Sequence, residues 1–116
     1  MGKEKILVVE DESTTRAMIV SGLEKEGYQV FEAQSGEAGY QIARSVRPNL
    51  VISDVVMAQM DGNQLIKKLR KSEFGKEILF IVLTSHGTMK DYFEMMDVED
   101  FIAKPFDMDD FLAIPY

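Results

Sequence analysis

Leu50-Val51-Ile52-Ser53-Asp54 runs on through Val55-Val56-Met57-Ala58-Gln59-Met60 to Asp61-Gly62, and this stretch carries the architecture of the chain. Leu50 to Ser53 is an apolar run that meets a single acid, Asp54, and then turns over. The chain restarts at Asp61-Gly62-Asn63-Gln64, where Asp61 can cap a helix and Gln64 takes the reciprocal capping position. A carboxylate at the C-terminal lip of a buried strand faces the crevice where open α/β sheets hold ligands. The pattern otherwise demands core at that place, so Asp54 reads as a site residue.

The same grammar repeats on both sides. Ile6-Leu7-Val8-Val9 is an unbroken apolar run of the kind covered on both faces, and it stops at Glu10-Asp11-Glu12. Ser13 or Asp11 is the expected cap of a first helix, with Met18, Ile19, Gly22 and Leu23 turned inward and Gly27 ending it. Tyr28 to Ala33 reads as the second strand. Ser35-Gly36 opens a second helix through about Ser45, with Ala38, Ile42 and Ala43 inward. Gly39 inside it costs on the order of 1 kcal/mol relative to Ala.

Pro48-Asn49 is a turn into the third strand. The third helix, Asp61 to about Lys71, is expected to bury Leu65, Ile66 and Leu69 and to show Lys67, Lys68, Arg70 and Lys71 to water. Gly75 breaks the chain before a fourth strand, Ile78 to Leu83, which ends at Thr84-Ser85-His86-Gly87. Met89, Tyr92, Phe93 and Met96 fall at helical spacing. Phe101-Ile102-Ala103 forms a short fifth strand ending at Lys104-Pro105. Asp107 caps a last helix that Pro115 stops. Strands alternating with helices in this way predict an α/β fold, a doubly wound five-stranded parallel sheet in three α/β/α layers.

Composition narrows the function classes. The 116 residues read as one domain, 1–116, with no linker, repeat or low-complexity tail. There is no Cys, which removes disulfides and thiolate metal sites. Twenty acids against 13 bases give a net charge of −7, without the basic footprint that nucleic acid requires. That balance favours a divalent cation or a basic protein partner. No apolar run approaches membrane-spanning length and no signal peptide precedes the first strand, so a cytoplasmic protein is expected, with no membrane and no nucleic-acid partner.

In a parallel sheet the C-terminal strand ends share one edge. Those ends carry Glu10 and Asp11, then Asp54, Thr84 and Lys104, so five functional side chains can converge. Three carboxylates together repel unless a cation or proton sits among them. Mg²⁺ prefers a few carboxylates with waters and phosphate oxygens. Lys104 adds a positive charge and Thr84 a hydroxyl donor. Phosphoryl transfer asks a protein mainly for positioning and charge neutralisation, and this set offers both.

Val8-Val9-Glu10-Asp11, Asp54-x-x-Met57-x-x-Met60-Asp61-Gly62, Thr84-Ser85 and Lys104-Pro105-Phe106 together resemble the receiver domain of two-component response regulators. The resemblance runs in order over nearly the whole chain. It implies a flavodoxin-like sheet of order 2-1-3-4-5. It also implies that Asp54 accepts a phosphoryl group from a sensor histidine kinase or a histidine phosphotransfer protein. Glu10, Asp11, Asp54 and the carbonyl of Val56 would hold Mg²⁺, and Lys104, with a cis bond to Pro105, would contact the phosphoryl group. Thr84 and Phe101 would form the switch, addressing a downstream protein target through the face of helix 4, strand 5 and helix 5. Val56 and His86 occupy the places that tune the lifetime of the phosphorylated state. Ala58 departs from the family, which usually has Pro there, and Asp97-Val98 replaces a usual Gly-Ala.

The expectation is a stand-alone receiver with no visible output domain, active as a binding switch, with self-phosphotransfer and autodephosphorylation but no turnover of a separate substrate. Two readings compete with it. One is a phosphorylation-independent receiver-like adaptor, against which the intact five-residue set argues. The other is a phosphatase with an Asp nucleophile. The common haloacid type needs a second Asp where this chain has Val56.

Overall fold

In the computed structural model, which describes residues 4–54, 62–84 and 100–103, five strands hydrogen-bond in the order β2-β1-β3-β4-β5, every pair parallel. The strands are β1 (Lys5–Val9), β2 (Gln29–Ala33), β3 (Leu50–Asp54), β4 (Leu79–Thr84) and β5 (Asp100–Ala103). Helices α1 (Ser13–Lys25), α2 (Gly36–Val46) and α3 (Gly62–Arg70) connect the first of them, and a single 3₁₀ turn, Glu73–Gly75, precedes β4. This is the doubly wound sheet that the alternating pattern predicts.

Side chains alternate across a strand, and here both faces are covered. Ile6, Val8, Leu50, Ile52, Ile81 and Leu83 pack with Ile19, Val20 and Leu23 of α1. Leu7, Val9, Val51, Phe80 and Val82 pack on the other face with Ala43 of α2 and Leu65 and Leu69 of α3. The apolar runs of β1, β3 and β4 are continuous because each residue has a core to enter. Each fully buried Val, Leu or Ile contributes about 1.5–3 kcal/mol.

Three local expectations need correction. The residue capping α1 is Glu12, not Ser13 or Asp11: its carboxylate accepts from Thr15 N–H at 2.8 Å and Thr14 N–H at 3.1 Å, and also from the Thr15 hydroxyl. Met18 is not inward but 39% exposed, and Val20 is buried in its stead. Arg70 does not face water alone. Its Nη1 donates to the carbonyls of Gly75, Lys76 and Ile78 at 3.1, 3.1 and 2.6 Å, and its guanidinium lies 4.9 Å from the Phe80 ring centre. Those three carbonyls lie in the connection into β4, where that of Gly75 also accepts from Ile78 N–H at 3.4 Å, and Arg70 Nη1 reaches all three.

Other details hold. Ser35 caps α2 by accepting from Ala38 N–H at 3.2 Å. Gly27 has φ of 95°, the left-handed conformation that closes α1. Leu65 and Leu69 are buried, and Lys67, Lys68 and Lys71 are exposed. Asn49 accepts the Lys5 N–H at 2.8 Å, tying the turn before β3 to the start of β1. The expected caps Asp61 and Asp107 and the helical stretch from Met89 to Met96 lie outside the described residues.

Candidate functional site

The register of the sheet decides which residues share the C-terminal edge. Val9 stands opposite Ser53, so Glu10 and Asp54 follow at the next position of two adjacent strands. Asp54 stands opposite Leu83 of β4, and Thr84 opposite Ala103 of β5. Glu10, Asp54 and Thr84 therefore stand in a row along one lip of β1, β3 and β4, and the residue after Ala103 is Lys104. Phe101 pairs with Val82 in the interior of β5. Val56, His86 and Lys104 themselves lie outside the described residues, as does the Lys104–Pro105 bond.

Glu10 is a fully buried carboxylate, 0% exposed. Burying a charge is costly unless bonds offset it, so such a residue is held in place by design of its surroundings. Its Oε2 accepts from Glu12 N–H at 3.1 Å, and its own N–H continues the ladder to Ala33 of β2, donating to that carbonyl at 3.0 Å. The Glu10 carbonyl in turn accepts from Arg16 Nη1 at 2.8 Å. Asp11, next in the chain, is exposed. Because Glu12 supplies the helix cap, Asp11 is not consumed by α1.

All of these donors are oxygens. By position and donor type, a buried Glu, an exposed Asp beside it and an acid at the end of the adjacent strand are hard, anionic residues of the kind that suit Mg²⁺ with waters and phosphate oxygens. The residues present fit that ion.

Two contributors escaped the sequence reading. Glu12 escaped because Ser, Thr, Asp and Asn lead the capping preferences and both its neighbours are of those types. Arg16 escaped because its anchor, Glu32, lies 16 residues away on β2, with Nε to Oε1 at 3.0 Å. Nothing short of the β1–β2 pairing reveals that contact.

Comparison with known proteins agrees with this fold. The family described as the response regulator receiver domain matches residues 6–114. Among curated proteins, the chain is 30% identical over 111 residues to the DNA-binding dual master transcriptional regulator RpaA of Synechocystis, covering 94% of this chain and 46% of that protein. The chain thus spans under half the length of that relative. Among solved structures, the chemotaxis response regulator CheY4 of Vibrio cholerae is 27% identical with a TM-score of 0.90, over 96% of this chain and 94% of that one. The receiver domain of sensor histidine kinase PA1611 from Pseudomonas aeruginosa, solved with a magnesium ion coordinated in its active-site cleft, is 25% identical with a TM-score of 0.86, over 96% and 93%. From its sheet order, its acidic strand edge and these matches, the chain belongs to the response regulator receiver domain family of two-component systems.

Proposed function

We propose that this receiver domain takes a phosphoryl group on Asp54 from a phosphohistidine donor and uses the modified state to change its protein contacts. The observation that carries the reading is the row of Glu10, Asp54 and Thr84 along one lip of adjacent strands, with Glu10 buried. In the step itself, a carboxylate oxygen of Asp54 forms a bond to phosphorus as the donor's P–N bond breaks. The electron pair of that bond leaves with the imidazole nitrogen, which takes a proton from water.

Mg²⁺, when bound, would offset the charge of the phosphoryl oxygens beside three carboxylates. Glu10, Asp11, Asp54 and the carbonyl of Val56 are its ligands in this reading. Lys104 pairs with the phosphoryl oxygens, and the Thr84 hydroxyl donates to one of them. Val56 and His86 flank the approach of hydrolytic water, and an apolar Val56 offers that water no hydrogen-bond partner. Receiver domains act with histidine kinases and downstream effectors. For this chain the kinase or phosphotransfer protein is the donor, and a protein target meets the β5 side of the sheet.

Incubation with acetyl phosphate and Mg²⁺ tests the reading. A base-labile phosphoryl adduct is expected on the wild-type chain and none on Asp54→Ala. Undiminished labelling of Asp54→Ala would contradict it, and no labelling of a folded wild type would favour a phosphorylation-independent adaptor.

A further inference from the structure

We infer that Arg16 is a positioning residue for the cation site, acting through the peptide that joins Glu10 to Asp11. This rests on the reading that those two acids hold Mg²⁺. The carbonyl that accepts from Arg16 Nη1 at 2.8 Å is that of Glu10, and it belongs to the planar unit between the two carboxylate-bearing residues. Fixing that plane sets the direction in which the chain leaves Glu10 and enters Asp11. Three further bonds act on the same segment: Glu10 N–H to the Ala33 carbonyl at 3.0 Å, Glu12 N–H to Glu10 Oε2 at 3.1 Å, and Glu32 holding Arg16 Nε at 3.0 Å. The guanidinium thus spans α1, the end of β1 and the end of β2.

The charge arrangement supports positioning over stabilisation. The Arg16 side chain is 13% exposed but that of Glu32 is 54% exposed, so the ion pair itself adds little to folding. What Glu32 does is neutralise Arg16. A bare guanidinium one peptide away from a divalent cation would repel it, whereas a paired one keeps its geometry without that field. Orienting groups behind metal ligands typically change affinity by about 10–100-fold when removed.

The sign of the effect separates the possibilities. Loss of a nearby positive charge alone would tighten Mg²⁺ binding, and a role confined to holding α1 on the sheet would leave it unchanged in folded protein. The test is calorimetric Mg²⁺ titration of wild type, Arg16→Ala, Arg16→Lys and Glu32→Gln, each first shown to be folded in chelator by circular dichroism. Arg16→Ala is expected to weaken Mg²⁺ about tenfold. Arg16→Lys keeps the charge but cannot reach both acceptors, and should recover only part of the loss. Glu32→Gln should weaken binding less, through an uncompensated charge whose effect fades at high salt. Affinity of Arg16→Ala equal to or tighter than wild type overturns the assignment. If that variant does not fold, wild-type affinity in Arg16→Lys does so instead. A wild-type chain that binds no Mg²⁺ removes the metal reading and this inference with it, whereas a binding wild type with unaffected variants removes this inference alone.

Discussion

Gly39 shows how one atom connects the core to the site. A Cβ at this position would lie 2.8 Å from Val9 Cγ2 and 3.3 Å from Val9 Cγ1. Val9 is the last residue of β1 and is followed directly by Glu10, so pressure there is delivered to the acidic edge. Gly39→Ala gains on the order of 1 kcal/mol in helix propensity and meets an overpacking cost of about 1–3 kcal/mol. The expected outcome is a net loss of stability in urea unfolding, together with weaker Mg²⁺ binding. Stability equal to or above wild type would show that Val9 yields freely. From sequence alone Gly39 was merely an unfavourable residue in a helix; its reason lies in an approach between α2 and β1 that no local pattern encodes.

Among the elements, the strands were the most legible because double-sided burial writes a continuous apolar run, as in Ile6 to Val9 and Leu50 to Ser53. Helix phase was harder. Met18, Ile19 and Val20 are contiguous, and at about 100° per residue Met18 and Val20 flank Ile19 from opposite sides. Leu23 comes round between Ile19 and Val20, which draws the buried arc toward Val20 and leaves Met18 at the rim. The period of the pattern was clear, but the choice of arc needed the partner surface. The candidate site residues Glu10, Asp54 and Thr84 stand out in the sequence because each closes an apolar run at a strand end, and Asp11 follows Glu10 directly. Pairing of β4 with β5, Thr84 opposite Ala103 and Val82 opposite Phe101, gives the proposed switch its route. A phosphorylated Asp54 offers the Thr84 hydroxyl a charged acceptor, a bond worth about 1.5–3 kcal/mol. That differential shifts a two-state equilibrium by roughly ten- to a hundred-fold. Beryllofluoride loading is therefore expected to change amide exchange in residues 100–103 of the wild type, and to change it little in Thr84→Ala, which still accepts the ligand. An equal response in both would rule out coupling through Thr84.

For the whole molecule, an acidic chain with net charge −7 places its anionic lip at one end of a sheet whose faces are both covered. Among the described residues no helix is long and apolar enough to cross a membrane. The sheet sets Glu10 beside Asp54 by register, and the proposed chemistry lies where the strands stop. The central claim is that Asp54, held in that row, is the phosphoacceptor in a cation-dependent reaction. Borohydride reduction of the acetyl phosphate-treated chain, followed by peptide mass mapping, tests it directly, because reduction converts an aspartyl phosphate to homoserine at the modified position. Homoserine at position 54 with Mg²⁺ present, and a rate lower by an order of magnitude or more in chelator, is the predicted result. Modification at another residue, or an equal rate at Asp54 in chelator, would contradict it.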